Sequence, residues 1–388
     1  MLAPLIALLT TLLTLAGLVY LILALFAARG FRREPAATAP AVWPTVSILK
    51  PVRGMDPHRF LAFESMCLQQ YPGRFELLVG MSDPPDEQLA ADVARLQAQF
   101  PAANVRAVAC PQRLGHNGKV STLQQMVPHA LGDILVINDA DILAGPGYLA
   151  AVASAMAGPG VGFVTVPYLG RTLAKPTLWA RLEALGIAGD LLPGVFTARM
   201  LDRGMRFGLG STLALRRSTL DAIGGLAPLL DRIADDYELG ELVSRAGFRV
   251  LLSPEVVQTS VPQYRLGDFW QHQVRWWRTV RDARPWSFFG MVLSYALPWA
   301  MLNVVACGFA LPSLSLLSLV LLARVALLLN VGVGILRDGQ VLRDLWLLPL
   351  RDCTSLLLWA WSYAGDDVTW RGERFRLRRG TMVPAGEP

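Results

Sequence analysis

Charged residues are scarce in this sequence of 388 residues. They make up 17% of it, against about 25% in an ordinary soluble domain. Hydrophobic residues make up 53%, and the mean hydropathy is +0.40. A composition this apolar excludes extensive disorder and disfavours a simple cytosolic enzyme. The length leaves room for two or three domains, or for one catalytic domain with membrane spans.

Clustered metal-binding or disulfide-forming residues are also lacking. The chain has four cysteines and four histidines, all isolated, and no Cys-x-x-Cys pair. This spacing gives little support to a zinc site or a disulfide framework. Lysine is rare among the 36 basic residues and occurs only at Lys50, Lys119 and Lys175. A net charge of +6 that rests on such an arginine bias does not by itself indicate nucleic-acid binding, and we expect no nucleic-acid partner.

An uncharged apolar segment, Leu5–Ala28, lies near the start of the sequence. Its length of about 24 residues is enough to cross the hydrocarbon core of a bilayer. The segment is too long for a typical signal-peptide core and has no basic residues before it, which favours a retained anchor. Arg29, Arg32 and Arg33 follow it directly, and positive charge stays on the cytoplasmic side. We therefore predict a transmembrane helix in residues 1–28, followed by a cytoplasmic Ala/Pro-rich linker in 29–44.

A second apolar block covers residues 288–364. Phe288–Leu311 and Ser313–Leu336 read as two spans joined by a tight turn at Pro312. The third segment, Leu345–Ala364, carries Arg351 and Asp352 near its middle, where charges are costly unless they are paired. Whether this segment spans the membrane or is re-entrant stays open.

The last residues, 365–388, form a basic tail. We expect this tail to be cytoplasmic, because positive charge on the outer side would break the charge rule. Alternating polar and apolar residues over Val368–Leu377 predict a strand within it.

Between the apolar blocks, short apolar runs alternate with helical patterns. This alternation predicts an α/β domain with a parallel sheet and helices on both faces, a doubly wound, Rossmann-like nucleotide-binding fold. The predicted strands are Val46–Leu49, Leu77–Gly80, Val105–Val108 and Ile134–Ile137, and the predicted helices are His58–Gln70, Asp86–Phe100 and Lys119–Ala130. Ligands of such sheets bind at the carboxyl ends of the strands, so the loops there are where we expect the chemistry.

Three of the loops or helix starts carry carboxylates. They are the segment Ser82–Asp86, the Asp139-Ala140-Asp141 triplet after the fourth strand, and the segment Asp235–Glu238. Asp86 and Asp235 or Asp236 would also serve as helix N-caps, which is the commoner role of such residues. The pair Asp139 and Asp141 is different, because two carboxylates two residues apart after a buried strand repel each other. A Mg²⁺ or Mn²⁺ ion would relieve that repulsion, and such ions take one or two carboxylates together with phosphate oxygens.

Two further segments combine apolar, aromatic and basic residues. The cluster Gln271–Arg278 contains His272, Arg275 and Trp276 and precedes the second apolar block. Trp and Arg favour the headgroup layer of a membrane, but Arg is also the best fixed partner of a diphosphate, and we expect a mixed role. The run Thr177–Leu192 reads either as an interfacial helix beside a lipid or as a core helix.

In their order and spacing these motifs resemble the ceramide glucosyltransferase-like family of inverting nucleotide-sugar glycosyltransferases. That family has three aspartate stations followed by a (Gln/Arg)-x-x-Arg-Trp signature. Asp86 (with Asp83) matches the first station, Asp139 the second and Asp236 the third, while Arg275-Trp276 ends the signature. Further similar stretches are Ser47-Ile48-Leu49-Lys50-Pro51, Gly115-His116-Asn117-Gly118-Lys119 and Gly224-Gly225. The likeness covers about residues 45–285 and extends equally to bacterial enzymes that glycosylate hopanoid lipids.

The resemblance implies a fold of the glycosyltransferase A type and a role for each matching residue on the donor side. Asp83 or Asp86 would bind the uridine of a UDP-sugar. Asp139 and Asp141 would hold the diphosphate through Mg²⁺ or Mn²⁺, a cofactor that also neutralises the leaving group. Lys119 would contact the nucleotide or its phosphates, although a surface lysine is an equally good interpretation.

The same resemblance implies the roles on the acceptor side. Asp236 would be the general base that takes a proton from a lipid hydroxyl, so that a single displacement gives a β-glycoside. Arg275 and Trp276 would close over the diphosphate at the membrane face, with Arg275 as the electrostatic stabiliser. His272 stands where the signature has Gln or Arg, and this departure leaves its role in nucleotide-sugar binding open.

The sequence therefore predicts a metal-dependent, inverting hexosyltransferase in the bacterial inner (plasma) membrane, with its catalytic domain on the cytoplasmic side. UDP-glucose and a ceramide-type lipid are the favoured substrates. The alternatives are transfer of N-acetylglucosamine to a hopanoid polyol, and a processive polysaccharide synthase, for which the few spans make a poor channel. The predicted organisation is an N-terminal helix (1–28), a linker (29–44), a glycosyltransferase domain (45–266), an interfacial signature segment (267–287), C-terminal membrane helices (288–364) and a basic tail (365–388).

Overall fold

The computed structural model describes residues 2–34, 37–52, 59–82 and 86–385. The chain divides into two compact units. The sheet unit comprises Glu34–Arg171 and Asp202–Ser260, and the helical unit comprises Met1–Arg33, Thr172–Leu201 and Val261–Pro388. The segment Thr172–Leu201, which the sequence places inside the glycosyltransferase domain, therefore packs with the helical unit.

The sheet unit is built on a seven-stranded sheet with the order β3-β2-β1-β4-β7-β5-β8, and β6 pairs with β9 in a separate two-stranded parallel sheet. The strands are β1 (Val46–Val52), β2 (Phe75–Ser82), β3 (Val105–Cys110), β4 (Ile134–Ile137), β5 (Val161–Thr165), β6 (Tyr168–Arg171), β7 (Leu213–Arg216), β8 (Arg249–Leu252) and β9 (Val257–Ser260). All four predicted strands are confirmed as β1 to β4. The predicted parallel sheet is present as a mixed sheet, since β7 runs antiparallel to both β4 and β5. Hydrophobic pattern identifies a short buried strand but carries no information about its direction.

Helices connect these strands, and each of the three predicted helices is confirmed over a shorter range, although His58, the predicted first residue of the first helix, lies outside the described residues. The α-helices of the sheet unit are Arg59–Cys67, Glu87–Gln99, Gly118–Met126, Tyr148–Met156, Arg217–Ala222 and Asp235–Arg245, and the short 3₁₀ turns are Pro101–Ala103, Val127–His129 and Ala227–Leu229. β1 and β4 are buried along their whole length, so the core lies around the centre of the sheet. The residues that follow β4 are thereby held on a rigid element.

The helical unit contains most of the long apolar helices. Its α-helices are Leu2–Arg32, Leu178–Gly186, Leu192–Leu201, Leu266–Ala283, Pro285–Gly290, Ala296–Ala306, Leu311–Leu328, Gln340–Asp344 and Leu348–Ser362. Two π turns, Ile187–Leu191 and Leu329–Val333, and two 3₁₀ turns, Met291–Ser294 and Leu345–Leu347, adjoin them.

Three of the described helices are long and apolar enough to cross a membrane, namely Leu2–Arg32, Leu178–Leu201 and Leu311–Val333. The pair Pro285–Ser294 and Ala296–Ala306, bent by 51°, makes a fourth if it is counted as one span. The sequence did not predict Leu178–Leu201 as a span, and most of its side chains are buried in the protein, as in a core helix.

The turn predicted at Pro312 was misplaced. The chain reverses at Cys307–Ala310, where Gly308 and Phe309 both adopt positive φ angles of about 60°. Pro312 instead lies in the first turn of the next helix, a position that needs no amide hydrogen. Proline therefore marks the start of that helix rather than the break before it.

The charges in the third predicted segment are paired. Both carboxylate oxygens of Asp352 accept hydrogen bonds from Arg324, at 2.7 and 2.9 Å. Arg351 donates from Nε to Asp190 at 2.8 Å, and Arg324 contacts the same Asp190 at 2.6 Å. These four side chains join two helices and the π turn Ile187–Leu191, which explains how charges are tolerated at buried positions.

The basic tail forms a three-stranded antiparallel sheet of β10 (Asp367–Trp370), β11 (Glu373–Arg378) and β12 (Thr381–Pro384). The strand predicted over Val368–Leu377 is confirmed, although it is two strands joined by a turn at Arg371 and Gly372. Both turn residues have positive φ angles, which alternation alone does not reveal.

Candidate active site

Lys119 lies at the centre of a carboxylate cluster in the sheet unit. Its Nζ is 2.8 Å from Oδ1 of Asp139, the second residue after β4, and 3.3 Å from Oδ2 of Asp235. Burial on its own lowers the pKa of Lys119, but the attraction of the two carboxylates outweighs it and raises the pKa above its usual range. Lys119 is therefore a permanently charged ammonium and not the solvated lysine of the alternative interpretation.

Asn117 fixes the position of this cluster at the start of a helix. Its Oδ1 accepts a hydrogen bond from the backbone N–H of Val120 at 3.1 Å, as an N-cap does. Its Nδ2 donates to the carbonyl of Arg232 at 2.7 Å and to Oδ1 of Asp235 at 3.3 Å. Asp235 is thus held by Asn117 and Lys119, a structural role that the sequence did not predict.

Asp236 and Asp139 approach one small space. A Cβ atom placed on Gly210 would lie 3.2 Å from Oδ2 of Asp236 and 3.5 Å from Oδ2 of Asp139. Oδ1 of Asp236 accepts a hydrogen bond from the amide of Tyr237 at 2.8 Å, so the other oxygen faces this space. Glycine at position 210 keeps the space between the two carboxylates open, and no sequence motif pointed to it.

The charge state of Asp236 suits proton transfer near neutral pH. Burial and the nearby charge of Asp235 raise the pKa of Asp236 to about 6, although Lys119 opposes that shift. A carboxylate with a pKa close to the working pH is the kind of group that serves as a general base.

Asp141 is anchored differently from Asp139. Its Oδ2 accepts hydrogen bonds from Thr259 Oγ1 at 2.5 Å and from the amide of Ser260 at 2.9 Å. Burial and the charge of Asp139 raise the pKa of Asp141 above its usual range. The bonds to β9 therefore hold this carboxylate in place even though its charge is disfavoured.

The donor set fits a hard divalent cation only in part. No group of three or more His, Cys, Asp and Glu side chains among the described residues could hold a metal by itself. Mg²⁺ and Mn²⁺ need fewer protein ligands when a substrate diphosphate completes their coordination. Asp139 and Asp141 offer carboxylate oxygens of this class, and Lys119 already balances part of their negative charge.

Lys50 holds the loop after β4 in place through hydrogen bonds to its backbone. It is fully buried in β1, and its Nζ donates to the backbone carbonyls of Asp139 at 3.0 Å and Ile142 at 2.7 Å. Burial lowers the pKa of Lys50 to about 7, against the opposing effect of the nearby Asp141 and Asp139. The sequence signal that could have found it is a lone lysine in an otherwise apolar strand.

Asp86 acts as an N-cap, the commoner of its two predicted roles. Its Oδ1 accepts from the amide of Leu89 at 3.0 Å, and its Oδ2 lies 2.6 Å from Nη1 of Arg59. The hydrogen bond from Arg59 lowers the pKa of Asp86 despite some desolvation. Asp83, the other residue predicted at this station, lies outside the described residues.

The Arg-Trp signature is part of one helix, Leu266–Ala283, in the helical unit, which we call the signature helix. His272 packs its ring against Trp276 at 4.9 Å between centroids, and its Nε2 lies 3.8 Å from Oε1 of Glu183. Burial and the nearby Arg275 lower the pKa of His272 to about 3, so its imidazole is neutral.

Gln273 is buried and links the signature helix by hydrogen bonds to two other helices. Its amide donates to Glu183 at 3.1 Å, and its carbonyl accepts from Nη1 of Arg351 at 3.2 Å. The polar anchor of the helix is therefore the glutamine next to His272, and the structural partner Glu183 was not predicted.

A family model decides the affiliation of the chain, because the model for "glycosyl transferase family 21" matches residues 9–383. The chain belongs to this family. The resemblance to ceramide glucosyltransferase-like enzymes is thereby confirmed.

Two of the curated relatives are named ceramide glucosyltransferases. Ceramide glucosyltransferase 3 of Caenorhabditis elegans is 22% identical over 242 residues, which are 60% of this chain and 50% of that protein. The ceramide glucosyltransferase of Candida albicans is 26% identical over 124 residues, 29% of this chain and 23% of that protein. The family 21 chain thus spans about half the length of the first relative and less of the second.

Among solved structures, the mannosyltransferase PcManGT of Pyrobaculum calidifontis, determined with GDP-mannose and Mn²⁺, is similar over almost the whole chain. The TM-score is 0.52 at 20% identity, and the match covers 92% of this chain and 97% of that one. This likeness concerns the fold, and it confirms the glycosyltransferase A-type fold with flanking apolar helices.

Proposed function

We propose that this family 21 protein transfers a single glucose from UDP-glucose to the hydroxyl of a ceramide-type lipid in the membrane, with inversion to a β-glycoside. One observation carries this proposal. Asp139 and Asp236, the second and third aspartate stations, come from separate segments of the sequence, and their Oδ2 atoms face the same small space beside Gly210. The names of the curated relatives support the lipid and the sugar.

On the donor side, Lys119 and Asp139 bind the nucleotide-sugar. The ammonium of Lys119 attracts the diphosphate, and it is held in place by Asp139 and Asp235 rather than free to reorient. A charge fixed before the substrate binds stabilises a developing negative charge more than a mobile one does. Asp83, Asp86 and His272 keep their predicted roles in nucleotide-sugar binding as part of this proposal.

Asp139 and Asp141 are the residues that would hold a divalent cation, Mg²⁺ or Mn²⁺, together with the diphosphate. When bound, the cation would supply positive charge that neutralises the departing UDP. Lys50 positions the loop through the carbonyls of Asp139 and Ile142, so that both carboxylates start from a fixed backbone.

Asp236 is the general base. It accepts the proton of the lipid hydroxyl as that oxygen forms a bond to the anomeric carbon, and the bond from the same carbon to the diphosphate breaks. The departing UDP takes the bonding electrons. Arg275 stabilises the charge on the leaving diphosphate, and Trp276 contributes a stacking surface.

A transfer assay on the purified full chain in detergent tests the proposal. UDP-glucose and UDP-N-acetylglucosamine are offered against ceramide and a hopanoid polyol, with Mg²⁺, with Mn²⁺ and with EDTA. We expect one β-linked glucosylceramide, identified by mass and by the NMR coupling of its anomeric proton, and no product in EDTA. A glycosylated hopanoid would replace ceramide as the proposed acceptor. A polymeric product would replace the proposed single transfer with a polysaccharide synthase reaction.

The matched variants are Asp236→Asn and Glu241→Gln, which remove one carboxylate each from the same helix. Asp236→Asn should lower kcat by about a hundredfold or more, the usual contribution of a general base. Glu241 is partly exposed and pairs with the exposed Arg245 at 2.8 Å, so its variant should keep wild-type turnover. Equal turnover of the Asp236→Asn enzyme and the wild type would rule out this base.

A further inference from the structure

A groove of about 590 Å³ lies between the signature helix and the C-terminal sheet, wholly within the helical unit. One face of the signature helix lines it with Trp270, Val274 and Arg278, which recur every four residues, and with Arg275 beside them. The opposite side includes residues 367–369 of β10 and Arg374 of β11. Trp361 of the helix Leu348–Ser362 completes the lining.

The groove carries more positive than negative charge. Its lining includes three arginines, Arg275, Arg278 and Arg374, and one carboxylate, Asp367. The carboxylate of Asp367 is shared, since it lies 3.1 Å from Nε of Arg376, which is not part of the lining, and 3.7 Å from Arg374. Arg278 and Arg374 carry two positive charges against the one carboxylate of Asp367, which Arg376 also shares, and this favours an anion in the groove.

Arg278 has unused hydrogen-bonding capacity. Its Nη1 donates to the backbone carbonyl of Asp367, but its Nε is buried and has no hydrogen-bond partner among the described residues. Burial, and to a smaller extent the nearby Arg281, lower the pKa of Arg278 from its ordinary value, against the opposing effect of Asp366 and Asp367. An oxyanion beside Arg278 would supply both an acceptor and the missing negative charge.

The groove also has an apolar wall that continues onto the surface. The rings of Trp270 and Trp361 meet edge to face with centroids 6.0 Å apart. Trp361 is 53% exposed, Leu357 one turn before it is 60% exposed, and Leu266 at the start of the signature helix is 53% exposed. Arginine and tryptophan side by side are typical of the headgroup layer of a membrane, where a phosphate and an acyl chain lie close together.

We propose that this groove binds an anionic phospholipid, with its phosphate on Arg278 and Arg374 and its acyl chains along Trp361 and Leu357. A soluble phosphate would satisfy the arginines but leave the exposed aromatic wall in water. A zwitterionic lipid would satisfy the wall but bring no net negative charge. Arg278 and Arg374 have no proposed role in sugar transfer, and binding of a phospholipid to them requires no sugar donor.

Lipid binding to the purified full chain in detergent tests this proposal. The protein is titrated with dioleoyl-phosphatidylglycerol or dioleoyl-phosphatidylcholine, and bound lipid is counted by native mass spectrometry. We expect phosphatidylglycerol to bind more tightly, and Arg374→Gln to weaken it about fivefold, the usual effect of one basic residue at an anionic membrane surface. Arg378→Gln is the matched control, since Arg378 is an exposed arginine on the same strand outside the groove, and its variant should bind as the wild type does.

Further arms separate the possible occupants. Arg278→Gln should also weaken binding. If that variant fails to fold, Arg374→Gln still tests the proposal, because Arg374 lies at the surface. Equal affinity for the two lipids, or equal loss in the Arg374→Gln and Arg378→Gln proteins, would overturn the proposal. Displacement of phosphatidylglycerol by inorganic phosphate at the same concentration would identify a site for soluble anions instead. Because no donor is present, these results stay interpretable if the proposed transfer reaction fails.

Discussion

The ammonium of Lys119 lies 2.8 Å from a carboxylate oxygen of Asp139. The aspartate that follows the central strand is therefore paired with a protein cation before any substrate or metal binds. Removing this cation would leave two buried or half-buried carboxylates, Asp139 and Asp235, without their common partner.

Lys119→Met should therefore impair both folding and activity. Loss of one partner from a buried ion pair costs about 3 kcal/mol or more, because the remaining charge stays desolvated. We expect a lower midpoint of thermal unfolding and a raised KM for the UDP-sugar, both measured on detergent-solubilised protein. Lys175→Met, at an exposed lysine, is the control and should change neither quantity. Unchanged KM and stability in the Lys119→Met protein would contradict the assigned role.

The pKa of Asp236, raised to about 6, predicts the acid limb of the pH–rate profile. A general base works only when it is deprotonated, so kcat/KM should fall about tenfold per pH unit below pH 6 and level off above it. A bound cation near this carboxylate would move the limb to lower pH, since positive charge favours the ionised form. The measurement is initial rate between pH 4.5 and 8, beside Glu241→Gln. A profile that stays flat down to pH 4.5 would remove Asp236 from the role of base.

Gly210→Ala should reduce activity while leaving the fold intact. The new methyl group would lie 3.2 Å from Asp236 and 3.5 Å from Asp139, in the space where the reacting groups are proposed to meet. We expect turnover to fall by about tenfold or more, since a small misplacement of reacting groups costs at least that much. Gly147→Ala is the control, because a Cβ atom there meets nothing within 4 Å and its φ of −88° suits alanine. Similar turnover in both variants would mean that the space beside Gly210 is not used.

The pair Arg324 and Asp352 allows a test of the buried ion network. Asp352→Asn alone should lower the free energy of unfolding by about 3 kcal/mol, because Arg324 loses its bidentate partner. The double variant Arg324→Met with Asp352→Leu should be less destabilised than the sum of the two single variants, since no charge of this pair is left unpaired. Thermal unfolding in detergent measures both effects. Strictly additive losses would show that the two side chains do not depend on each other.

The sequence was informative where the pattern is local. Strands β1 to β4 were found because each is a short, mostly apolar run, and Asp139 was found because it follows the most apolar of them. The tail sheet was found in part, from the alternation in Val368–Leu377. The antiparallel direction of β7 and the position of the break before Pro312 were not found, since both depend on tertiary packing or backbone conformation.

Most of the missed residues act through distant partners. Lys50 reaches carbonyls 89 and 92 positions further along the chain, and Arg324 binds Asp190 at a separation of 134 residues. The contact of Asp235 with Lys119 was not predicted, because only the three-dimensional structure shows which of two adjacent carboxylates turns toward Lys119. Single-sequence reasoning identifies chemically useful side chains, but it cannot pair them over such separations.

The contact between Arg324 and the π turn Ile187–Leu191 determines which position of the buried network must carry the positive charge. Besides its two carboxylate partners, Arg324 donates from Nη1 to the carbonyl oxygen of Gly189 at 2.7 Å. A backbone oxygen accepts hydrogen bonds and cannot donate them, so a carboxylate at position 324 would face a repelling dipole. Exchanging the charges of Arg324 and Asp352 would therefore not restore the network, although the number of opposite charges would stay the same.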